Sequence, residues 1–351
     1  MHLSRRNYIC ALAAAAFKPL LRAQPPAAAP DTRFATDVRV VNLFATVRDK
    51  KGQIVTGLTQ ADFILDEDGQ PQTIRYFSAE SDLPLTLGLL VDTSGSTRNV
   101  LGDERSASYR FIEQVLREDK DQAFVIHFDN EVELLQDLTN SRTKLDKALD
   151  QLQAAQPQMQ RRDAGNSGDR NGAPQRGRRG GTSLYDAVLL ASDELMAKQK
   201  GRKAVVLLSD GMDNGSKVTL DDATRAAQRA DTLVYTILFT DTQSFGYPGG
   251  FGGGRRRGGM GGGYPRGGGA NRPDGKKILE KIAQETGGRS FEASKKEQFD
   301  KVYASIQEDL RNQYNIGYTP ANSERGGYRR IHLTTTKKDQ RVQTREGYYP
   351  T

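Results

Sequence analysis

The chain has 351 residues, enough for a full α/β domain and a smaller second domain. It contains one cysteine, Cys10, which excludes a disulfide framework and a cysteine-based metal site. The formal net charge of +7 is concentrated, together with glycine, in two low-complexity inserts at 156–181 and 243–275, so we do not expect the rest of the chain to be a basic surface.

The first residues, MHLSRRNYICALAAAAFKPLLRAQ, combine a charged start, a short apolar run and small residues where a peptidase could cut. This pattern predicts an export signal over 1–23, followed by a Pro/Ala linker over 24–32. Arg5 and Arg6 resemble a twin-arginine signal, and an ordinary secretory signal is the alternative. No later segment reaches about 18 apolar residues, so we expect no transmembrane segment in the mature chain. The predicted location is therefore the periplasm or the cell exterior.

Short alternating apolar runs fill residues 33–83 and are interrupted by DKKG and DEDGQ. This pattern is typical of strands joined by hairpin turns. We interpret LDEDGQ at 65–70 as such a turn, because it lacks the spacing of a calcium-binding loop.

From 84 to 312 the pattern changes to apolar strands that alternate with amphipathic helices. Uncharged strands separated by such helices indicate a mainly parallel sheet covered on both faces, which is a doubly wound α/β domain. The predicted strands are 85–92, 123–128, 131–138, 203–210, 233–240 and 289–293, and the predicted helices are 103–119, 141–152, 183–199, 220–230, 275–286 and 296–313.

The β pattern returns over 313–351, in YNIGYTP, YRRIHLTTTKK and RVQTREGYYP. Each β flank is too small to bury a good core alone. We therefore predict that the two flanks pair into one antiparallel β-sandwich into which the α/β domain is inserted. Two separate β appendages are the alternative.

Polar side chains follow the ends of the predicted parallel strands. Asp92, Ser94 and Ser96 come at the end of the first α/β strand, and Gly95 lets the backbone turn between the two serines. Asp210 ends the strand VVLLSD, and Thr182 lies in the loop before the helix SLYDAV. Because ligands of open parallel sheets bind at the carboxyl ends of the strands, we expect these side chains to lie together.

The five candidate ligands offer only oxygen atoms, and only two of them are carboxylates. Oxygen donors suit a hard divalent cation such as Mg²⁺, which Cys or His would serve poorly. An ion held mostly by neutral hydroxyls keeps positive character and a coordination position for an incoming carboxylate. The pattern therefore predicts a metal site that captures an acidic group.

The motifs DTSGS (Asp92, Ser94, Ser96), GGTSLYDAV (Thr182) and LLSDGMDN (Asp210) occur in an order that resembles the von Willebrand factor type A domain with its metal-ion-dependent adhesion site. The resemblance covers 84–312. The β flanks that end on REGYYP are similar to those of bacterial secreted proteins in which such a domain interrupts a β-sandwich.

The resemblance implies a Rossmann-like, mainly parallel sheet and a site for Mg²⁺ or Mn²⁺. The expected partner is a protein that offers a carboxylate, and the expected role is adhesion or scaffolding. The implied direct or water-mediated ligands are Asp92, Ser94, Ser96 and Thr182, with Asp210 among them or just behind them.

Enzyme hypotheses fit the same residues less well. A phosphotransferase based on Asp92 would have a second acid two residues on, where this chain has Ser94. No glycine-rich phosphate-binding loop ending in Gly-Lys-Ser or Gly-Lys-Thr is present. Serine hydrolysis would need a Gly-x-Ser-x-Gly turn, which does not surround Ser94. The histidine that it would also need is not evident, because His127 is more simply a residue of the strand FVIHF. We therefore predict a protein without enzyme activity.

Two further interpretations stay open. The segment GGFGGGRRRGGMGGGYPRGGG resembles Arg/Gly-rich RNA-binding tails, but export argues against nucleic acid and favours anionic envelope polymers as the alternative ligand. The inserts are either a basic collar around the metal site or solvated spacers. Asp213, Asn214 and Ser216 either support the metal or cap the helix that begins near 220.

Overall fold

The structure is a computed structural model that describes residues 40–79, 83–97, 101–152, 181–239, 274–321 and 326–350. The predicted signal, the linker and nearly all of the two Gly/Arg-rich inserts lie outside the described residues. Within the described ranges, no helix is long and apolar enough to cross a membrane.

Strands from both ends of the chain flank a central α/β region. The first flank contains β1 (Val41–Arg48), β2 (Phe63–Glu67), β3 (Gln70–Pro71) and β4 (Ile74–Ser78). The central region contains β5 (Leu85–Asp92), β6 (Gln122–Phe128), β7 (Val132–Thr139), β8 (Arg202–Ser209), β9 (Leu233–Phe239) and β10 (Ser290–Ala293). The last flank contains β11 (Tyr314–Tyr318), β12 (Arg329–Thr335), β13 (Arg341–Gln343) and β14 (Gly347–Tyr348).

The helices of the central region lie close to their predicted positions. They are α1 (Leu101–Val115), α2 (Arg142–Asp150), α3 (Leu184–Leu189), α4 (Leu220–Arg229), α5 (Gly275–Thr286) and α6 (Lys296–Arg311). The helix predicted over 183–199 differs in one respect, because α3 continues as a π-helix over Leu190–Met196. Hydrophobic periodicity predicts the existence of a helix but does not distinguish these two hydrogen-bonding patterns.

The central sheet has six strands in the order β10-β9-β8-β5-β6-β7. All neighbouring strands are parallel except β6 and β7 at one edge. Strand β5 is buried along its whole length, as its uninterrupted apolar sequence requires. Helices α1, α2 and α6 cover one face of the sheet, and α3, α4 and α5 cover the other. The prediction of a doubly wound, mainly parallel sheet is confirmed.

The two flanks together form a β-sandwich. Its sheets have the orders β13-β1-β11-β4 and β14-β12-β2-β3, so each sheet combines strands from both ends of the chain. All of these pairs are antiparallel. Side chains such as Leu43, Leu65 and Ile316 share one core between the sheets. The prediction of one sandwich is confirmed, and the alternative of two separate appendages is wrong.

The turn between β2 and β3 is a two-residue hairpin. Asp68 and Gly69 have φ angles of +50° and +77°. Positive φ at both central residues is the conformation that tight hairpins need, and Asp-Gly adopts it readily. The interpretation of LDEDGQ as a hairpin turn is confirmed.

A buried carboxylate joins the two halves of the sandwich. Glu67 ends β2 with 4% of its surface exposed. Its Oε1 atom accepts a hydrogen bond from Arg329 Nη1 at 2.7 Å. Its Oε2 atom accepts from the hydroxyls of Tyr318 at 2.5 Å and Tyr348 at 3.1 Å. Burial, with Glu67 beside it, raises the pKa of Tyr348 to about 12. Three strands of the last flank are thus bound to one side chain of the first.

Ion pairs also join the sandwich to the α/β region. Asp309 of α6 is 1% exposed and accepts from Arg48 Nη2 of β1 at 2.6 Å and from Arg289 Nη1 at 3.0 Å. Arg345, which follows β13, pairs with Asp231 at 2.7 Å. Because these carboxylate contacts are partly or fully buried, they constrain the connection more than exposed pairs would.

Candidate metal centre

Asp92 lies fully buried at the carboxyl end of β5. Strand β8 pairs with β5 so that Val91 is opposite Leu208, which brings Ser209 beside Asp92. Ser209 Oγ donates to Asp92 Oδ2 at 2.7 Å, and the Ser94 amide donates to Asp92 Oδ1 at 2.9 Å. These two bonds fix the orientation of the carboxylate.

The hydroxyls of Ser94 and Ser96 lie side by side. Their Oγ atoms are 3.0 Å apart and share a hydrogen bond in which either hydroxyl can donate. Two adjacent ligands of an octahedral Mg²⁺ at about 2.1 Å are also separated by about 3.0 Å, so the pair is compatible with neighbouring ligand positions. A single turn of 3-10 helix, Gly95–Thr97, forms the loop, and Thr97 Oγ1 donates to the Ser94 carbonyl at 2.9 Å. Gly95 lies in this turn and does not use a positive φ.

Asp210 follows β8 directly, next to Asp92. Its Oδ1 atom accepts from the Met212 amide at 2.9 Å. The first residue of α5 packs against this loop so closely that a Cβ atom on Gly275 would lie 2.1 Å from the Asp210 carbonyl oxygen. Burial, with a smaller contribution from the Asp210 charge, raises the pKa of Asp92 to about 6.

Thr182 is held between the ends of β6 and β8. Its carbonyl accepts from the amides of Asn214 at 3.1 Å and Gly215 at 3.0 Å, which ties its loop to the one after Asp210. The next residue, Ser183, donates its amide to the Asp129 carbonyl at 2.7 Å, just after β6. The loops that contain all five candidate ligands therefore meet at the carboxyl edge of the central sheet.

Asp213 and Ser216 cap a helix, but not the one expected. Asp213 Oδ1 accepts from the Leu184 amide at 2.9 Å and from Ser216 Oγ at 2.6 Å, and Ser216 Oγ accepts from the Tyr185 amide at 3.0 Å. They therefore cap α3, the helix after Thr182. Helix α4 has its own cap, in which Thr219 and Asp222 bond reciprocally. A long-range contact of this kind leaves no signal in local sequence.

Sequence reasoning also missed Glu104, in the first turn of α1. Its side chain is completely buried, and neither carboxylate oxygen has a hydrogen-bond partner among the described residues. Burial, together with nearby Asp92, raises the pKa of Glu104 well above its ordinary value. The available signal was its position three residues before Ala107 and seven before Phe111, on the apolar face of the helix.

These residues fit a hard divalent cation. The donors are oxygens, the serine pair has octahedral spacing, and a cation would offset the repulsion between the neighbouring carboxylates. No group of three or more His, Cys, Asp or Glu side chains that could hold a metal ion exists in the parts of the chain that the structure describes. A metal here would therefore rest largely on hydroxyl groups, as the sequence predicts.

We expect Mg²⁺ binding to weaken in acid. Because the pKa of Asp92 is about 6 without metal, a proton competes with the ion below that pH. The apparent affinity should fall about tenfold per pH unit below 6 and level off above it. Calorimetric titrations of Mg²⁺ between pH 5 and pH 8 would measure this curve, and a flat profile would contradict the assignment of Asp92.

Two further results follow from the same pKa. Since the pKa of Asp92 is raised from 3.8, its contribution to the stability of the metal-free fold is present at low pH and is lost as the pH rises through about 6.

Ser209→Ala is the comparison variant for the dependence of Mg²⁺ affinity on pH. It removes a hydrogen bond that lowers the pKa of Asp92, so the inflection of the affinity curve should move to higher pH.

Comparison with known proteins gives one family match. Residues 87–212 match the family model described as the von Willebrand factor type A domain. A search of curated protein sequences found no significant match.

Several solved structures are similar in fold. Proximal thread matrix protein 1 from the mussel byssus is 14% identical, with 70% of this chain and 51% of that chain covered and a TM-score of 0.44. BatB from Bacteroides thetaiotaomicron is 14% identical, with 65% and 97% covered and a TM-score of 0.41. The vWF domain of the type V pili tip protein Mfa5 from Porphyromonas gingivalis is 12% identical, with 65% and 96% covered and a TM-score of 0.42.

The mussel protein is longer than the region that matches this chain. The matched region spans about half of the mussel protein, 51% of its chain. Another structure of that protein has a zinc-occupied metal-ion-dependent adhesion motif, which is a property of the mussel protein. At such identities, and with TM-scores below 0.5, the likenesses support no functional inference about this chain.

The family match covers the part of the α/β region from β5 to the loop after β8. It begins at Leu87 within β5 and ends at Met212, two residues after Asp210. It therefore contains all five candidate ligands, but not the end of the loop that follows Asp210. Residues 87–212 are thus the part of the chain that matches the von Willebrand factor type A domain family.

Proposed function

We propose that the protein is an exported binding protein, without enzyme activity, that uses a divalent cation to hold a carboxylate of a protein partner. The ion is Mg²⁺ or Mn²⁺. The observation that carries the proposal is the 3.0 Å spacing of the Ser94 and Ser96 hydroxyls beside the buried Asp92. The proposed ligands, direct or through water, are Asp92, Ser94, Ser96, Thr182 and Asp210.

The chain prepares this site without the ion. Ser209 and the Ser94 amide hold both oxygens of Asp92, and Thr97 holds the serine loop. When bound, the cation supplies a Lewis-acidic coordination position for a carboxylate. Because most proposed ligands are neutral, the charge of a divalent ion is not over-compensated, which favours an acidic partner.

Adhesion or scaffolding is supported by this binding chemistry and by the match of residues 87–212 to the von Willebrand factor type A domain model. Export is supported by the charged, then apolar, first 23 residues, whose pattern is that of a signal segment. The alternative, binding of anionic polymers or nucleic acid by the Gly/Arg-rich inserts, concerns residues that the structure does not describe. No structural observation favours it over the metal site.

Calorimetric titration of Mg²⁺ and of Mn²⁺ into the full chain tests the proposal. We expect one site, and stabilisation of the fold by about 2.7 kcal/mol when the free ion reaches a hundred times its dissociation constant. Asp119→Asn, which changes an exposed acid outside the site, should behave as the wild type. Absence of both binding heat and stabilisation at millimolar metal would contradict the proposal.

A further inference from the structure

A large groove lies between the α/β region and the sandwich. Its volume is about 1220 Å³, and its walls are formed by α4, α5, β12 and the segment 340–346. None of its lining residues belongs to the candidate metal centre. The groove is therefore a separate feature of the surface.

One wall of the groove is an open strand edge. The Asp68 amide donates to the Arg330 carbonyl and the Thr336 amide donates to the Asp62 carbonyl, so even-numbered residues of β12 bond to β2. Odd-numbered residues face the opposite edge, where the Ile331 amide donates to the Glu346 carbonyl at 2.7 Å. Beyond this bond, no described strand is hydrogen-bonded to that edge, although β13 lies close beside β12. The amide and carbonyl of Leu333 are left on it.

Buried polar atoms in the same groove lack partners. Gln228 and Arg345 are only 4% and 8% exposed. Gln228 Oε1 and Arg345 Nε have no hydrogen-bond partner among the described residues, and neither do Gln340 Oε1 and Thr344 Oγ1. Leaving such atoms unsatisfied costs free energy, but they are closed to solvent and offer no direct contact to a ligand.

The acidic side chains of the groove are already bound. Lys281 Nζ lies 3.0 Å from Asp221 and 3.8 Å from Glu285. Glu346 accepts a hydrogen bond from the side-chain amide of Gln284. These acids therefore leave little negative charge to attract a basic ligand.

Three of the four arginines that line the groove are not neutralised in the same way, the exception being Arg345, which pairs with Asp231. Arg225, Arg330 and Arg341 are exposed, and none forms an ion pair with a described residue. The Arg225 guanidinium lies 4.6 Å from the ring centroid of Tyr349, which in turn packs 5.2 Å from Tyr328. The groove thus presents positive charge beside an open strand edge.

We propose that this groove binds an extended, acidic segment of a partner polypeptide, which adds as a strand to the open edge of β12. The main chain of the segment pairs with Leu333, and its carboxylates meet Arg330 and Arg341. The site goes beyond the proposed metal-dependent function, because it contains no metal ligand and needs no ion.

Amide hydrogen exchange on the full chain, followed by NMR in EDTA, tests strand addition. In the free protein, the Leu333 amide should exchange faster than the Thr334 amide, which faces β2. An eight-residue peptide of alternating Glu and Val should then protect Leu333. EDTA removes any contribution from the metal centre, so failure here leaves the metal hypothesis untouched. A slow Leu333 amide in the free protein, or no protection at millimolar peptide, would overturn the proposal.

Charge variants test which ligand the groove accepts. Combining Arg330→Glu with Arg341→Glu should weaken binding of the Glu/Val peptide at least tenfold by fluorescence anisotropy. Arg75→Glu, an exposed change on β4 outside the groove, is the matched control and should leave the affinity unchanged. A Lys/Val peptide that binds as tightly, or a double variant that binds like the wild type, would refute acidic recognition.

Discussion

Replacing Asp92 by alanine is expected to abolish Mg²⁺ binding while the fold survives. Loss of an outer partner of a metal site costs 10- to 100-fold in affinity, so loss of a central ligand should cost at least about 100-fold. The fold should tolerate the change, because the raised pKa of Asp92 shows that its ionised form costs stability in the metal-free protein. Calorimetry and thermal unfolding with and without Mg²⁺ would measure both effects.

Two further variants test whether the loss of Mg²⁺ binding comes from the Asp92 carboxylate itself. Asp92→Asn keeps the size of the side chain but removes its charge, and it should also lose Mg²⁺-dependent stabilisation. Ser209→Ala keeps the carboxylate and removes the 2.7 Å hydrogen bond to it, together with the bond that the Gly211 amide donates to the same hydroxyl at 3.0 Å, so its affinity should fall less. Wild-type affinity in Asp92→Ala would show that the ion does not bind at this site.

Replacing Glu67 by alanine is expected to cause the largest loss of stability, about 3–5 kcal/mol. The change removes the buried carboxylate to which Arg329, Tyr318 and Tyr348 bind. Because those residues belong to the last flank and Glu67 to the first, the sandwich loses the polar contact that joins its halves. Urea unfolding at pH 7 would measure the loss.

The neighbouring residue provides the control for this prediction. Asp66 lies on the same strand, and its side chain makes no hydrogen bond within the described part of the chain. Asp66→Ala should therefore change the unfolding free energy by no more than about 0.5 kcal/mol. A cost below about 1 kcal/mol for Glu67→Ala would show that the buried network contributes little to stability.

Much of the fold could be predicted because its signals are local. An apolar run such as LTLGLLVD can be buried on both faces only inside a covered parallel sheet, and Asp68-Gly69 favours a tight turn by its own backbone preferences. The candidate ligands were found for a related reason. Strand ends mark the binding edge of such a sheet, and hydroxyl and carboxylate groups placed there stand out in the sequence.

Other features depend on groups that are far apart in the chain. Asp213 caps α3 because its loop folds beside Thr182, whereas local sequence favours a cap for the next helix. Glu104 looks like an ordinary surface acid until the packing of α1 buries it near Asp92. A single sequence contains no information on which distant loop will lie beside a given side chain.

By itself, the sequence determined the doubly wound sheet, the pairing of the flanks and the identity of the candidate metal ligands. Periodicity and the geometry of strand ends act over a few residues, so the sheet and the candidate ligands can be read locally. The pairing of the flanks follows from their size, because each is too small to bury a core alone. Only the tertiary structure decided the 3.0 Å approach of the serine hydroxyls, the buried network of Glu67 and the open edge of β12. The Glu67 network and the edge of β12 depend on the relative position of separate strands, which packing sets only when the whole core forms. The approach of Ser94 and Ser96 depends on the turn that the loop after β5 adopts.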